Sequence, residues 1–123
     1  MWKGVIIRES LKDISVLNDV SIVNTRESRL ESEGGRGTFH FHSIEVSENK
    51  IVRVLESLKK SLKLYWYTHL VKGNDIQVIF SGMIIRAKRG NAKEFEAIKT
   101  YALSKGIHAD QLPLEHLLDH PFD

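Results

Sequence analysis

One stretch constrains the fold more than any other. Between Ser47 and Leu62, the apolar residues Ile51, Val54, Leu55, Leu58 and Leu62 fall on a single helical stripe. The opposite side carries Lys50, Arg53, Lys60 and Lys63, so this helix has one side to bury and one to show to water. Ser47 is placed to cap it, and Glu48 sits in the first turn, where a negative charge suits the helix dipole. Such a helix needs an apolar surface to lie on, and the flanking sequence offers strands. The partner surface is therefore expected to be a sheet.

The strands are short and β-branched or aromatic. Trp2 to Arg8 (WKGVIIR) is the first. Leu11 to Asn18 reads as a short helical turn or a packed loop. Val20 to Leu30 and Thr38 to Val46 (TFHFHSIEV) read as a long hairpin with a polar tip, SEGGRG. After the helix, Leu64 to Val71 (LYWYTHLV), Ile76 to Phe80 and Met83 to Lys88 form a three-stranded meander, with turn chemistry at Lys72–Asp75 and Ser81–Gly82. Asn91, with Glu94 three residues later, resembles a capping box opening a helix whose Phe95, Ile98 and Ala102 face the core. Gly106 stops that helix, and Asp110 and Pro113 open a short last one carrying Leu114, Leu117 and Leu118.

This order predicts a single α+β domain over residues 1–123. We expect a mostly antiparallel sheet with the two longer helices on one face and a short C-terminal helix. The middle of the chain matches most of a ferredoxin-like split β-α-β arrangement, with the N-terminal strand as the candidate for its missing closing strand. Aromatic and β-branched residues occur on both parities of several strands, Trp66 between Tyr65 and Tyr67 among them. The second face of the sheet should therefore also be covered, and a second copy of the chain is the expected cover, giving a homo-oligomer.

Composition narrows the function classes. Hydrophobic residues make up 41% of the chain, enough for an ordinary globular core and too many for a disordered chain. No apolar run approaches the ~20 residues that span a bilayer, and no basic, then apolar leader is visible, so the expected location is the cytoplasm. The absence of cysteine removes disulfides, thiolate metal sites and a cysteine nucleophile. The formal charge is only +2, but Arg86, Lys88, Arg89 and Lys93 are clustered, as are Lys59, Lys60 and Lys63, a pattern usual for solvated edges and helix faces and less often for a phosphate-contacting surface. No Walker or G-x-G-x-x-G loop and no G-x-S-x-G elbow occurs.

Histidines and aromatics are what remain to carry chemistry. His40 and His42 stand two apart in a strand and share a face. If His69 joined them from a neighbouring strand, the three would form an open site able to acidify a zinc-bound water. His116 and His120 share a helical face, but the HExxH pattern is absent. Phe39 and Phe41 share one strand face, and Tyr65 and Tyr67 another. Exposed beside Arg86, Lys88 and Arg89, such rings would stack on unpaired RNA bases.

The expected function is therefore a non-enzymatic ligand- or partner-binding domain acting as a homo-oligomer, with no cofactor. One alternative is a metal-dependent hydrolase in which His40, His42 and His69 hold zinc or a similar divalent metal. The other is a single-stranded RNA-binding protein using Phe39, Phe41, Tyr65, Tyr67, Arg86, Lys88 and Arg89.

Overall fold

The computed structural model of the protein describes residues 1–28, 38–108 and 111–123. The SEGGRG hairpin tip, the last residues of the strand read up to Leu30, and Asp110 lie outside them.

Among the described residues, six strands form one antiparallel sheet: β1 (Trp2–Ile7), β2 (Ser21–Ser28), β3 (Phe39–Val46), β4 (Tyr67–Lys72), β5 (Asp75–Phe80) and β6 (Met83–Lys88), in the order β2-β3-β1-β4-β5-β6. The helices are α1 (Ile51–Ser61), α2 (Ala92–Ser104) and α3 (Leu114–Asp119). Leu11 to Asn18 holds a tight 3-10 turn at Ile14–Asp19, preceded by another at Arg8–Ser10, and the segment is stitched to the end of α1 by Lys12 N–H to Ser61 C=O and Lys63 N–H to Ser10 C=O. Among the described residues, no helix is long and apolar enough to cross a membrane.

The α+β class and the antiparallel sheet are as expected, but the arrangement differs in two ways. β3 and β4 both run antiparallel to β1, hence parallel to each other, and α1 connects them across the strand between. That is a split β-α-β unit. The strand in its slot is the N-terminal β1, while β5 and β6 continue outward as a meander instead of folding back into the sheet. The strand order is therefore not the ferredoxin-like one.

Second, α1 and α2 cover opposite faces. On one, Val54, Leu55 and Leu58 of α1 pack on Ile6, Ile44, Val46, Leu70 and Ile79, with Leu11 and Val16 closing the end. On the other, Phe95, Ile98 and Ala102 of α2 and Leu114, Leu117 and Leu118 of α3 pack on Val71, Ile76, Val78, Phe80 and Ala87. Neighbours such as Leu70 and Val71 point to opposite sides of a strand, so apolar residues on both parities demand two covers. Each fully buried side chain contributes roughly 1.5–3 kcal/mol. The chain supplies both covers itself, so the cover expected from a second copy is provided from within. The homo-oligomer expectation is left with the sheet edges.

Three local expectations also changed. Ser47 does not cap α1: the helix starts at Ile51, and the Ser47 hydroxyl turns to the Asn49 side chain at 2.5 Å. β4 starts at Tyr67 because Tyr65 adopts a φ of 71°, a left-handed conformation that breaks the extended run. The capping box at α2 is half formed. Asn91 Oδ1 accepts from the Glu94 amide at 3.1 Å, but the Glu94 carboxylate accepts from the Lys88 amide at 3.0 Å. Asn91→Ala should therefore cost about 1 kcal/mol in a urea titration; an unchanged midpoint would mean the cap contributes nothing.

Candidate functional site

Antiparallel pairing lines up residues that share a face. Across the α1 face, Gly4 of β1 stands opposite Leu70 of β4, Leu70 opposite Gln77 of β5, and Gln77 opposite Arg86 of β6. Leu70 is fully buried beneath α1. Beyond it the helix gives out, and the sheet surface opens into a groove of about 910 Å³. Trp2, Ile51, Val52 and Leu55 form its apolar side, Gln77 and Arg86 lie on the strand side, and Lys88 to Glu94 form the far wall.

Two polar atoms in this groove are left without partners. Gln77 is only 4% exposed, and its Oε1 is buried with no hydrogen bond. The buried indole Nε1 of Trp2 also lacks a partner; the Glu48 carboxylate lies toward it but outside hydrogen-bond geometry. Glu48 pairs instead with Lys72, whose hydrogen bond is the main reason its carboxyl is held below the usual range. A buried unsatisfied polar atom costs about 1–3 kcal/mol, so an unpaired acceptor and an unpaired donor buried in the walls of one groove need a reason.

The four clustered cations line the same groove but are not equivalent. Arg89 is committed, its Nη2 to Asp119 at 2.9 Å and its Nε to Asn74 at 2.9 Å. Lys88 lies 3.9 Å from Asp75. Arg86 and Lys93 are exposed and have no ion-pair partner among the described residues.

The expected three-histidine site does not assemble. His42 stands opposite Ile6 and His69 opposite Val5. Ile6 and Val5 are adjacent in β1, so their side chains leave opposite faces of the sheet, and His42 and His69 leave with them. His69 is buried on the α3 side, where its Nε2 donates to the Pro121 carbonyl at 2.7 Å. His42 is buried on the α1 side, with Nδ1 2.8 Å from Thr25 Oγ1 and Nε2 unpartnered. His40 is held by Glu9, which takes both its backbone amide and its Nδ1 at 2.7 Å, while Glu27 lies 3.5 Å from Nε2. Burial pushes the Glu9 carboxyl up, but the hydrogen bonds from His40 outweigh it and hold the group below its ordinary range. His116 pairs with Asp123 at 2.7 Å and stacks on His120. Among the described residues, no group of three or more His, Cys, Asp or Glu could hold a metal ion.

The aromatic platform does not assemble either. Phe39 is buried against Trp66, with ring centroids 5.7 Å apart. Phe41 is half-buried, with the Arg26 guanidinium 5.3 Å over its ring. Tyr67 packs against the α2 core and donates its hydroxyl to the Gln111 carbonyl; burial pushes that hydroxyl's pKa up to about 12. Only Tyr65 is freely exposed, at 74%. Arg86 and Lys88 lie on edge strand β6, separated from β3 by β1, β4 and β5. At ~4.8 Å per strand that is roughly 19 Å.

The groove was marked in the sequence by its cations alone. In the sequence, Gln77 and Trp2 are simply strand residues. The available signal was parity: Gln77 shares the face of Ile79, which points into the α1 core.

No protein-family model matches the chain, and neither a curated protein nor a solved structure is significantly similar to it.

Proposed function

We propose that this chain is a non-enzymatic binding domain whose ligand sits in the groove between α1, β5–β6 and the start of α2. The buried, unpartnered Gln77 Oε1 is the observation that carries this reading. A glutamine on the core-facing side of the penultimate strand weakens the fold, and a ligand that donates to it once its side chain turns into the groove removes the penalty. The groove's size is that of a small-molecule site, and its mixture of apolar wall and few polar groups suits one. The hydrolase alternative loses its support with His69 on the other face from His40 and His42, and the RNA alternative with Phe39 buried and the basic strand at the far edge.

The experiment is Gln77→Leu. Leucine keeps the volume and removes the orphaned acceptor, so the variant should be more stable than the parent by about 1–2 kcal/mol in urea denaturation. A functional residue that costs stability behaves this way. If Gln77→Leu is destabilised instead, Gln77 is a structural residue with a partner in solution, and the reading fails.

A further inference from the structure

The chemistry of the groove goes further than its existence. Resting on the reading above, we infer that the ligand is a small organic phosphate that also carries a hydrogen-bond donor.

Charge comes first. Of the four clustered cations, Arg89 is neutralised by Asp119 and Lys88 lies near Asp75, which leaves Arg86 and Lys93 uncommitted among the described residues. Two cations without an ion-pair partner on one concavity favour an anion that reaches both. A phosphomonoester carries about −1.5 to −2 near pH 7, whereas a single carboxylate carries half of that. Arg86 also supplies a planar fork suited to two phosphate oxygens. None of the groove's acidic residues pairs with Arg86 or Lys93: Glu48 pairs with Lys72, Asp75 lies toward the Lys88 ammonium, and Glu94, which keeps its charge, is turned to the Lys88 amide.

The second part comes from Gln77. It stands directly opposite Arg86 in the β5–β6 pairing, so the two side chains start from Cα atoms about 5 Å apart on one face. Oε1 is an acceptor, and inorganic phosphate can offer it only a P–OH on the same group that Arg86 and Lys93 would hold. A molecule that places phosphate on Arg86 and Lys93 while offering a hydroxyl or amine to Gln77 satisfies both groups. Sugar phosphates and nucleotides share this chemistry.

The test is an NMR titration of the ¹⁵N-labelled full chain with ribose 5-phosphate, adenosine 5′-monophosphate, adenosine and inorganic phosphate, repeated on Arg86→Gln. At least one phosphate ester should shift the Gln77 side-chain amide and the backbone amides of Arg86 and Lys93. Inorganic phosphate should bind at least tenfold more weakly, and Arg86→Gln should weaken the ester at least tenfold. Whichever ester binds more tightly tells a sugar phosphate from a nucleotide. Adenosine binding as well as its monophosphate, or Arg86→Gln leaving the affinity unchanged, would overturn the phosphate assignment while shifts at Gln77 kept the groove. Neither ester moving these signals also overturns it, and the groove is then judged separately by the stability of Gln77→Leu.

Discussion

Gly4→Ala is expected to be the most damaging single-methyl change in the protein. β1 lies between β3 and β4, and Gly4 faces Ile44 on one side and Leu70 on the other. A Cβ at this position would sit 1.9 Å from the His69 carbonyl oxygen, 3.0 Å from its carbon and 3.1 Å from Leu70 Cδ2. The first two are backbone atoms of the neighbouring strand, so no rotamer change relieves the contact. β1 and β4 would have to separate at the centre of the sheet, which carries the floor of both cores. Overpacking a core by a methylene typically costs 1–3 kcal/mol when side chains can adjust. With backbone as the obstacle we expect a loss of about 3 kcal/mol or more, a large part of the 5–15 kcal/mol a domain has. Urea denaturation, or the soluble yield where the variant fails to fold, measures it. A loss under about 1 kcal/mol would show that the strands do not approach as closely as described.

The same glycine shows where sequence reasoning stops. WKGVII reads as a strand from its β-branched residues, but a strand glycine is intelligible only once the neighbouring backbone is in place. Local signals gave the elements: the α1 stripe, the meander turns and the Asn91 cap were all legible because each is settled within a few residues. What depended on pairing was not. The placement of β1 between β3 and β4 rests on contacts more than sixty residues apart, such as Lys3 with Val71. The two-parity apolar pattern of β4 and β5 was visible, but nothing local says whether a helix of the same chain or a second copy covers the far face. The site followed the same division. The cations could be listed from the chain, whereas Gln77 became informative only when the end of α1 was seen to leave its Oε1 buried and unbonded.

Acid should destabilise this protein from about pH 6.5 downward, and His69 should account for much of it. His69 is 5% exposed, enclosed between the sheet and the C-terminal segment, with Nε2 bonded to the Pro121 carbonyl. Burial lowers its pKa below the ordinary histidine value, and the bond to Pro121 offsets this only in part. In the unfolded chain the imidazole titrates near 6.5. Below that pH the unfolded state binds a proton that the native state refuses, so stability rises with pH and is lost as pH falls through this window. A full proton of difference corresponds to about 1.4 kcal/mol per pH unit. His42 acts with the same sign: burial lowers its pKa first, and the charges of Arg8 and His40 lower it further. Glu9 belongs to a lower window. Its folded pKa is below the ordinary 4.5, so its contribution is intact above that value and fades only beneath it. Between pH 6.5 and 5 the slope is therefore the histidines' own. His69→Gln removes the titration and keeps a side-chain N–H for the Pro121 carbonyl. Urea midpoints at pH 7.5, 6.5, 5.5 and 5.0 should show a flatter acid limb for this variant than for the parent. A slope unchanged by His69→Gln would mean that His69 takes up its proton in the folded state, and the enclosure by the C-terminal segment would have to be given up.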